Sequence, residues 1–213
     1  MREYLQRNKE AYDVLAQEYA DRREDYSVSD RKIVQPFIDY LRGHFDSVRV
    51  LELGPGSGLA QLYFYEQRFD STAIDISPEI LRVSRDTAPQ TKYLLGDFLE
   101  FDFSQLKFEG IFAKAFIHLF PKDDALSVFR KIFDLLVDGG VAFIATTIHD
   151  KSEEGYFEKE DYSKKEKRFR RRWNEDELLQ ELAHIGFKLS KKWYNSEEDK
   201  SKNWVNLLVS RPI

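Results

Sequence analysis

The sequence predicts a doubly wound α/β protein of one domain, preceded by two helices and closed by a β-hairpin. Three observations carry that reading. Short apolar runs alternate with helical patterns from residue 48 to residue 148, which calls for a parallel sheet with right-handed crossovers. A glycine-rich loop, "GPGSG", joins the first such run to the first such helix. Length sets the scale, because 213 residues with 42% hydrophobic content bury one sizeable core.

Each element follows from its local pattern. Residues 2 to 42 are helical, with Tyr4, Leu5, Tyr12, Leu15, Ala16 and Tyr19 spaced by about three and four. The polar stretch "DYSVSD" is expected to break them into two helices, the second carried by Ile33, Val34, Phe37, Ile38 and Leu41. "VRVLEL" and "STAIDI" read as strands around the helix "GLAQLYFYEQRF". Ser77 caps the helix "SPEILRVSRD", with Pro78 at its first position. "KYLLGD" and "GIFAKAF" supply two further strands. "KDDALSVFRKIFDLLVDGG" is expected to run as a helix until Gly139 and Gly140 stop it. "VAFIATTI" has the continuous apolar character of a strand covered on both faces. "NEDELLQELAHIGF" is a capped helix, and "FKLSKKWYN" and "NWVNLLVS" form an antiparallel pair around the polar connection "SEEDKS".

Composition removes several function classes. A formal charge of -5, from 33 basic and 38 acidic residues, gives no global attraction to nucleic acid or anionic membrane. The chain has no cysteine, so disulfides, thiolate catalysis and cysteine-bound metals are excluded. No run approaches the roughly 18 apolar residues of a membrane span, and a cytoplasmic protein is expected.

The loop after the first strand reads E-x-G-x-G-x-G across Glu52, Gly54, Gly56 and Gly58. In the dinucleotide fingerprint G-x-G-x-x-G the third glycine comes one place later. Asp75 ends the second strand about 20 residues after the loop, where a carboxylate accepts hydrogen bonds from ribose hydroxyls. "GDFLEF" puts Asp97 and Phe98 after the third strand, and "FEGIFAKAFIHLF" and "LLVDGGVAFIATT" follow in order. The first helix carries "YDVLAQEYA".

In this order these motifs resemble the class I S-adenosylmethionine-dependent methyltransferases, and the resemblance covers nearly the whole chain. It implies a Rossmann-like seven-stranded sheet with an antiparallel last strand, and S-adenosyl-L-methionine as cofactor. Glu52 would face the methionine ammonium, Gly54, Gly56 and Gly58 would form the loop, and Asp75 with Ile76 would take the ribose. Asp97 and Phe98 would hold the adenine. Tyr12 and Tyr19 would cover the cofactor, with Ala113 of strand four beside it. Within the domain the expected parts are a helical cap (1–45), a cofactor-binding core (46–150), a lid-like insertion (151–173) and a closing helix and hairpin (174–213).

Methyl transfer needs alignment above all, and a base where the acceptor must lose a proton. His118, just past strand four, is the first candidate and His149, after strand five, the second. No cluster of acids and histidines has metal-ligand spacing, so no metal is expected. Lys114 departs from the family, with a long cation where small or polar residues are common. A small-molecule acceptor is expected, for a monomer or homodimer. The run "KKEKRFRRRW" (164–173) sets the alternatives, with seven cations and two aromatics that suit a nucleic acid or a solvated face. A regulatory protein that binds the cofactor without catalysis is the third reading. Tyr156, Phe157, Phe169, Arg170 and Trp173 are expected to form a removable lid over the acceptor.

Overall fold

A computed structural model describes residues 1–158, 166–196 and 202–213, with backbone alone for 24–28 and 196. Helices α1 (Glu3–Asp21) and α2 (Arg23–His44) lead into β1 (Arg49–Leu53), α3 (Leu59–Glu66), β2 (Asp70–Asp75), α4 (Pro78–Thr87) and β3 (Lys92–Leu95). Then come β4 (Phe108–Lys114), a 3-10 turn (Ile117–Leu119), α5 (Lys122–Leu135) and β5 (Leu136–Thr147). The chain closes with β6 (Glu153–Glu158), β7 (Lys167–Arg172), α6 (Glu175–Ile185), β8 (Lys188–Ser196) and β9 (Asn203–Ser210).

Seven strands form one sheet in the order β3-β2-β1-β4-β5-β9-β8. β1 to β5 run parallel, and β9 is antiparallel to both of its neighbours. This is the doubly wound, seven-stranded sheet with an antiparallel last strand that the sequence predicts. A consequence for the site is that the start of β9 lies at the same sheet edge as the ends of β4 and β5, since Thr147 pairs with Trp204. β6 and β7 form a separate antiparallel hairpin.

Apolar side chains fill both faces of the sheet. One layer includes Leu51, Leu53, Ile111, Phe129, Trp173 and Leu178, and the other packs Phe37, Phe64, Phe112 and Phe143 under α2 and α3. Among the described residues no helix is long and apolar enough to cross a membrane.

Two boundaries differ from the sequence reading. The first two helices part at Arg22, and "DYSVSD" continues as helix within α2. That run contains neither glycine nor proline, so no backbone chemistry obliges a break there. Helix α5 stops at Leu135, and the double glycine lies inside β5. Leu136 is already extended and paired with Phe108, and its burial at the sheet ends the helix four residues early. The connection expected over 196–201 lies, from residue 197, outside the described residues.

Candidate active site

The first three strands each deliver an acid to the same sheet edge. Glu52 comes from β1, Asp75 ends β2, and Asp97 follows β3. All three line a cavity of about 990 Å³, together with Gly54, Gly56, Ile76, Phe98, Tyr12, Tyr19 and His118. The structure therefore gathers most of the residues singled out in the sequence.

The glycine loop owes its shape to backbone that side chains rarely adopt. Gly56 has φ +56°, and a Cβ there would meet only the Tyr19 ring, at 3.6 Å. The space between loop and Tyr19 is therefore a slot that any side chain would begin to fill. Gly58 serves packing, because a Cβ on it would lie 2.7 Å from the Ser84 carbonyl oxygen, and the residue does not line the cavity. Ala113 lies fully buried within β4, and His149 also stays outside the cavity lining. His149 is held by its backbone N–H, which donates to the Trp173 carbonyl, and its ring lies 3.2 Å from Thr147 Oγ1. Burial first, then Arg172 and Arg170, keep its pKa below the ordinary histidine value.

Glu52 is only 4% exposed and accepts a 2.8 Å hydrogen bond from Gln61 Nε2. The sequence reading missed Gln61, although it is a lone polar residue in the apolar helix "GLAQLYF". Its Oε1 accepts from Thr91 Oγ1, and Ser71 joins Thr91 at 3.1 Å, so a buried chain of polar groups orients the carboxyl. Burial pushes the Glu52 pKa up to about 8, opposed by the Gln61 bond and by Lys114. Asp75 is pushed up to about 7 by burial, against the hydrogen bond its Oδ1 accepts from the Ser77 N–H at 2.8 Å. A cationic ligand in this cavity would favour both ionised forms. Asp97 Oδ1 accepts from the Leu99 N–H at 2.9 Å, and Phe98 packs edge-on to Phe116.

Helix α1 roofs these groups. Ser77 Oγ donates to Asp13 at 2.5 Å, which ties the roof to the turn after β2. Asn8, also missed in the sequence, accepts from the Phe169 N–H at 2.8 Å and donates to the Leu119 carbonyl at 3.2 Å. One side chain thus joins α1 to β7 and to the turn that carries His118. His118 is 2% exposed, with Nδ1 3.3 Å from Thr146 Oγ1, a contact that fixes the ring plane.

Strand β7 is a wall of the cavity. Phe169 packs on Tyr4, and Trp173 is fully buried against Phe129. By the two-residue alternation of a strand, Arg168 and Arg170 face the other way and line the cavity. Arg168 donates to the Tyr12 hydroxyl. Tyr156 and Phe157 do not line the cavity. Phe169 and Trp173 belong to the core, so cutting out 152–170 would open the core at Phe169. Part of the basic run is engaged within the molecule. Arg171 makes two bonds to Glu177 and one to Glu154, and Arg172 pairs with Glu153. Lys164 and Lys165 lie outside the described residues. Lys114 lines the cavity and pairs with Asp30 of α2.

A sheet of this order, with acids at three successive strand ends around a glycine loop, defines the class I methyltransferase fold. Residues 50–140, the segment from β1 to the double glycine, match the family model described as a methyltransferase domain. Solved structures extend the likeness across the chain. The 1,6-didemethyltoxoflavin-N1-methyltransferase of Burkholderia thailandensis, with 1,6-didemethyltoxoflavin and S-adenosylhomocysteine bound, is 20% identical, with 96% of this chain and 90% of that one covered and a TM-score of 0.67. The N-methyltransferase NodS of Bradyrhizobium japonicum WM9, in complex with S-adenosylhomocysteine, is 10% identical over 86% of this chain and 87% of that one, with a TM-score of 0.67. A methyltransferase from Methanosarcina mazei reaches a TM-score of 0.69 at 15% identity, covering 84% of this chain and 98% of that one. At such identities the likeness establishes the fold. No curated protein sequence matches the chain.

Proposed function

We propose that this protein transfers the methyl group of S-adenosyl-L-methionine to a small molecule, with His118 as the base that takes the acceptor's proton. The carrying observation is the convergence of Glu52, Asp75 and Asp97 with a bare glycine loop on one cavity that His118 also lines. Acids suit a ligand with an ammonium and a ribose and would repel a pyrophosphate, so the site favours this cofactor over a dinucleotide. Glu52 would meet the ammonium, Asp75 the ribose hydroxyls, and Asp97 with Phe98 the adenine. When bound, the cofactor supplies a methyl group activated by its positive sulfur.

The chain's own work is alignment and proton removal. Slots at Gly56 and under Tyr19 fix the donor end, and the buried His118 turn fixes the other. Holding two reactants in line accounts for most of the rate that methyl transfer needs, and a placed base adds roughly 10²–10⁴-fold for acceptors that must lose a proton. The cavity, at about 990 Å³ and roofed by α1, holds a cofactor with a small acceptor and suits a polymer poorly. The internal pairing of Arg171 and Arg172 weighs against the nucleic-acid alternative.

Calorimetry with S-adenosylmethionine and S-adenosylhomocysteine tests the cofactor. One saturable site is the expected result, and binding of a nicotinamide dinucleotide in its place would overturn the assignment. Mass-spectrometric detection of methylated products across a panel of small phenols, amines and carbon acids then tests turnover. A protein that binds the cofactor and RNA in a salt-sensitive way, and methylates no small molecule, would move the function to nucleic acid.

A further inference from the structure

We infer that Lys131 of α5 is a positioning residue for the cofactor's base, fixing from outside the cavity the loop that carries Asp97 and Phe98; this rests on the assignment above of those two residues to adenine. Residues 96–107 link β3 to β4 as turns and irregular backbone, so side chains set the loop's course. Asp97 shapes its start. Its Oδ1 accepts from the Leu99 N–H, and its carbonyl accepts from the N–H groups of Glu100 and Phe101 at 3.1 and 2.8 Å. Its Oδ2 meets Arg2 at 3.4 Å, and a carboxylate with four lone-pair sites still has room for an adenine amino group.

The carbonyls of Leu99 and Phe101 both face Lys131, whose Nζ donates to them at 2.9 and 2.7 Å. The same ammonium lies 5.4 Å from the centre of the Phe98 ring and 5.3 Å from that of Phe103. One cation therefore clamps the loop's backbone at two points and sits over the ring assigned to adenine. Burial lowers the Lys131 pKa, while Asp97, Glu100 and Asp102 act to raise it. A half-buried ammonium is stable where charge-assisted bonds of this kind offset its lost hydration. Lys131 does not line the cavity, so its effect on a ligand passes through Asp97 and Phe98. Lys107, at the other end of the loop, offers the comparison. It too ties the loop to α5, donating to the Asp134 carbonyl, but away from Asp97 and Phe98.

The test measures, by calorimetry on the full-length protein, the Kd of S-adenosylhomocysteine and that of its analogue whose purine lacks the 6-amino group. The wild type should prefer S-adenosylhomocysteine by about tenfold or more, the worth of one hydrogen bond to a carboxylate. Lys131→Met should reduce that preference to about threefold or less, because a displaced Asp97 no longer meets the amino group. Lys107→Met removes a comparable link and should keep the wild-type ratio. The ratio separates positioning from stability, since a variant that is only less stable loses affinity for both ligands alike. Lys131→Gln keeps a neutral donor and should fall between, and it carries the test where the methionine variant does not fold. An unchanged ratio in a folded Lys131 variant, or an equal loss in Lys107→Met, would overturn the positioning role alone. A wild type that binds S-adenosylhomocysteine without preferring it to the analogue would instead remove Asp97 from the adenine, and one that binds neither would remove the cofactor reading itself.

Discussion

Replacing Glu52 by glutamine should change how cofactor binding depends on pH. Burial holds the Glu52 carboxyl at a pKa of about 8, so at pH 7 about one molecule in ten carries the charge that an ammonium needs. Binding must then expel a proton, at a cost of about 1.4 kcal/mol for each pH unit below 8. For Glu52→Gln no such cost exists, and no such attraction either. The ratio of its Kd to the wild-type Kd should therefore climb almost tenfold per unit below pH 8, or about fiftyfold from pH 6 to pH 8, and flatten above. Taking this ratio with S-adenosylhomocysteine cancels the titration of the ligand's own amino group. Calorimetry in buffers of differing ionisation enthalpy gives a second reading. At pH 7 the wild type should release close to one proton more than the variant, Asp75 contributing equally to both. A ratio that stays flat from pH 6 to pH 8, or equal proton release, would refute the assignment of Glu52 to the ammonium.

Further outcomes follow from the same geometry. Glu52 is more basic in the folded chain than its ordinary 4.5, so the unliganded protein loses stability as pH rises from about 4.5 to about 8; Glu52→Gln should melt higher than wild type at pH 8, with the difference vanishing near pH 4. Gly58→Ala forces a Cβ to 2.7 Å from the Ser84 carbonyl at a φ of +84°, and thermal denaturation should show a loss of about 2–4 kcal/mol, with cofactor affinity of the folded protein unchanged. His118→Ala should lower kcat by roughly 10²-fold or more for an acceptor that must lose a proton and leave the cofactor's Kd unchanged; full activity would reduce His118 to packing against Thr146. Arg171→Met leaves Glu154 without its cation and Glu177 with Lys122 alone, and should cost about 1–2 kcal/mol in denaturant unfolding, with no effect on cofactor binding.

The acid-lined part of the cavity was legible because its residues stand at strand ends. Glu52, Asp75 and Asp97 are single acids at places where an apolar run stops, and the topology of a parallel sheet brings such places together. His118 was legible for the same reason, as the first titratable group after β4. The contribution of β7 to the cavity was not, because "RFRRRW" reads as a block of charge until the strand period separates Phe169 and Trp173 from Arg168 and Arg170. Asn8 and Gln61 were hidden differently. Each is a polar residue on an otherwise apolar helix face, in step with Leu5, Ala11 and Leu15 for Asn8, and that mismatch was the signal available. The break expected at "DYSVSD" had no glycine or proline behind it, and the one expected at the double glycine gave way to the tertiary pairing of Leu136 with Phe108.

A crystal structure with S-adenosylhomocysteine tests the central claim most directly. Adenine is expected between Asp97 and Phe98, the ribose hydroxyls on Asp75, the ammonium toward Glu52, and the sulfur open to His118. A product bound elsewhere, or one whose sulfur faces away from His118, would contradict it.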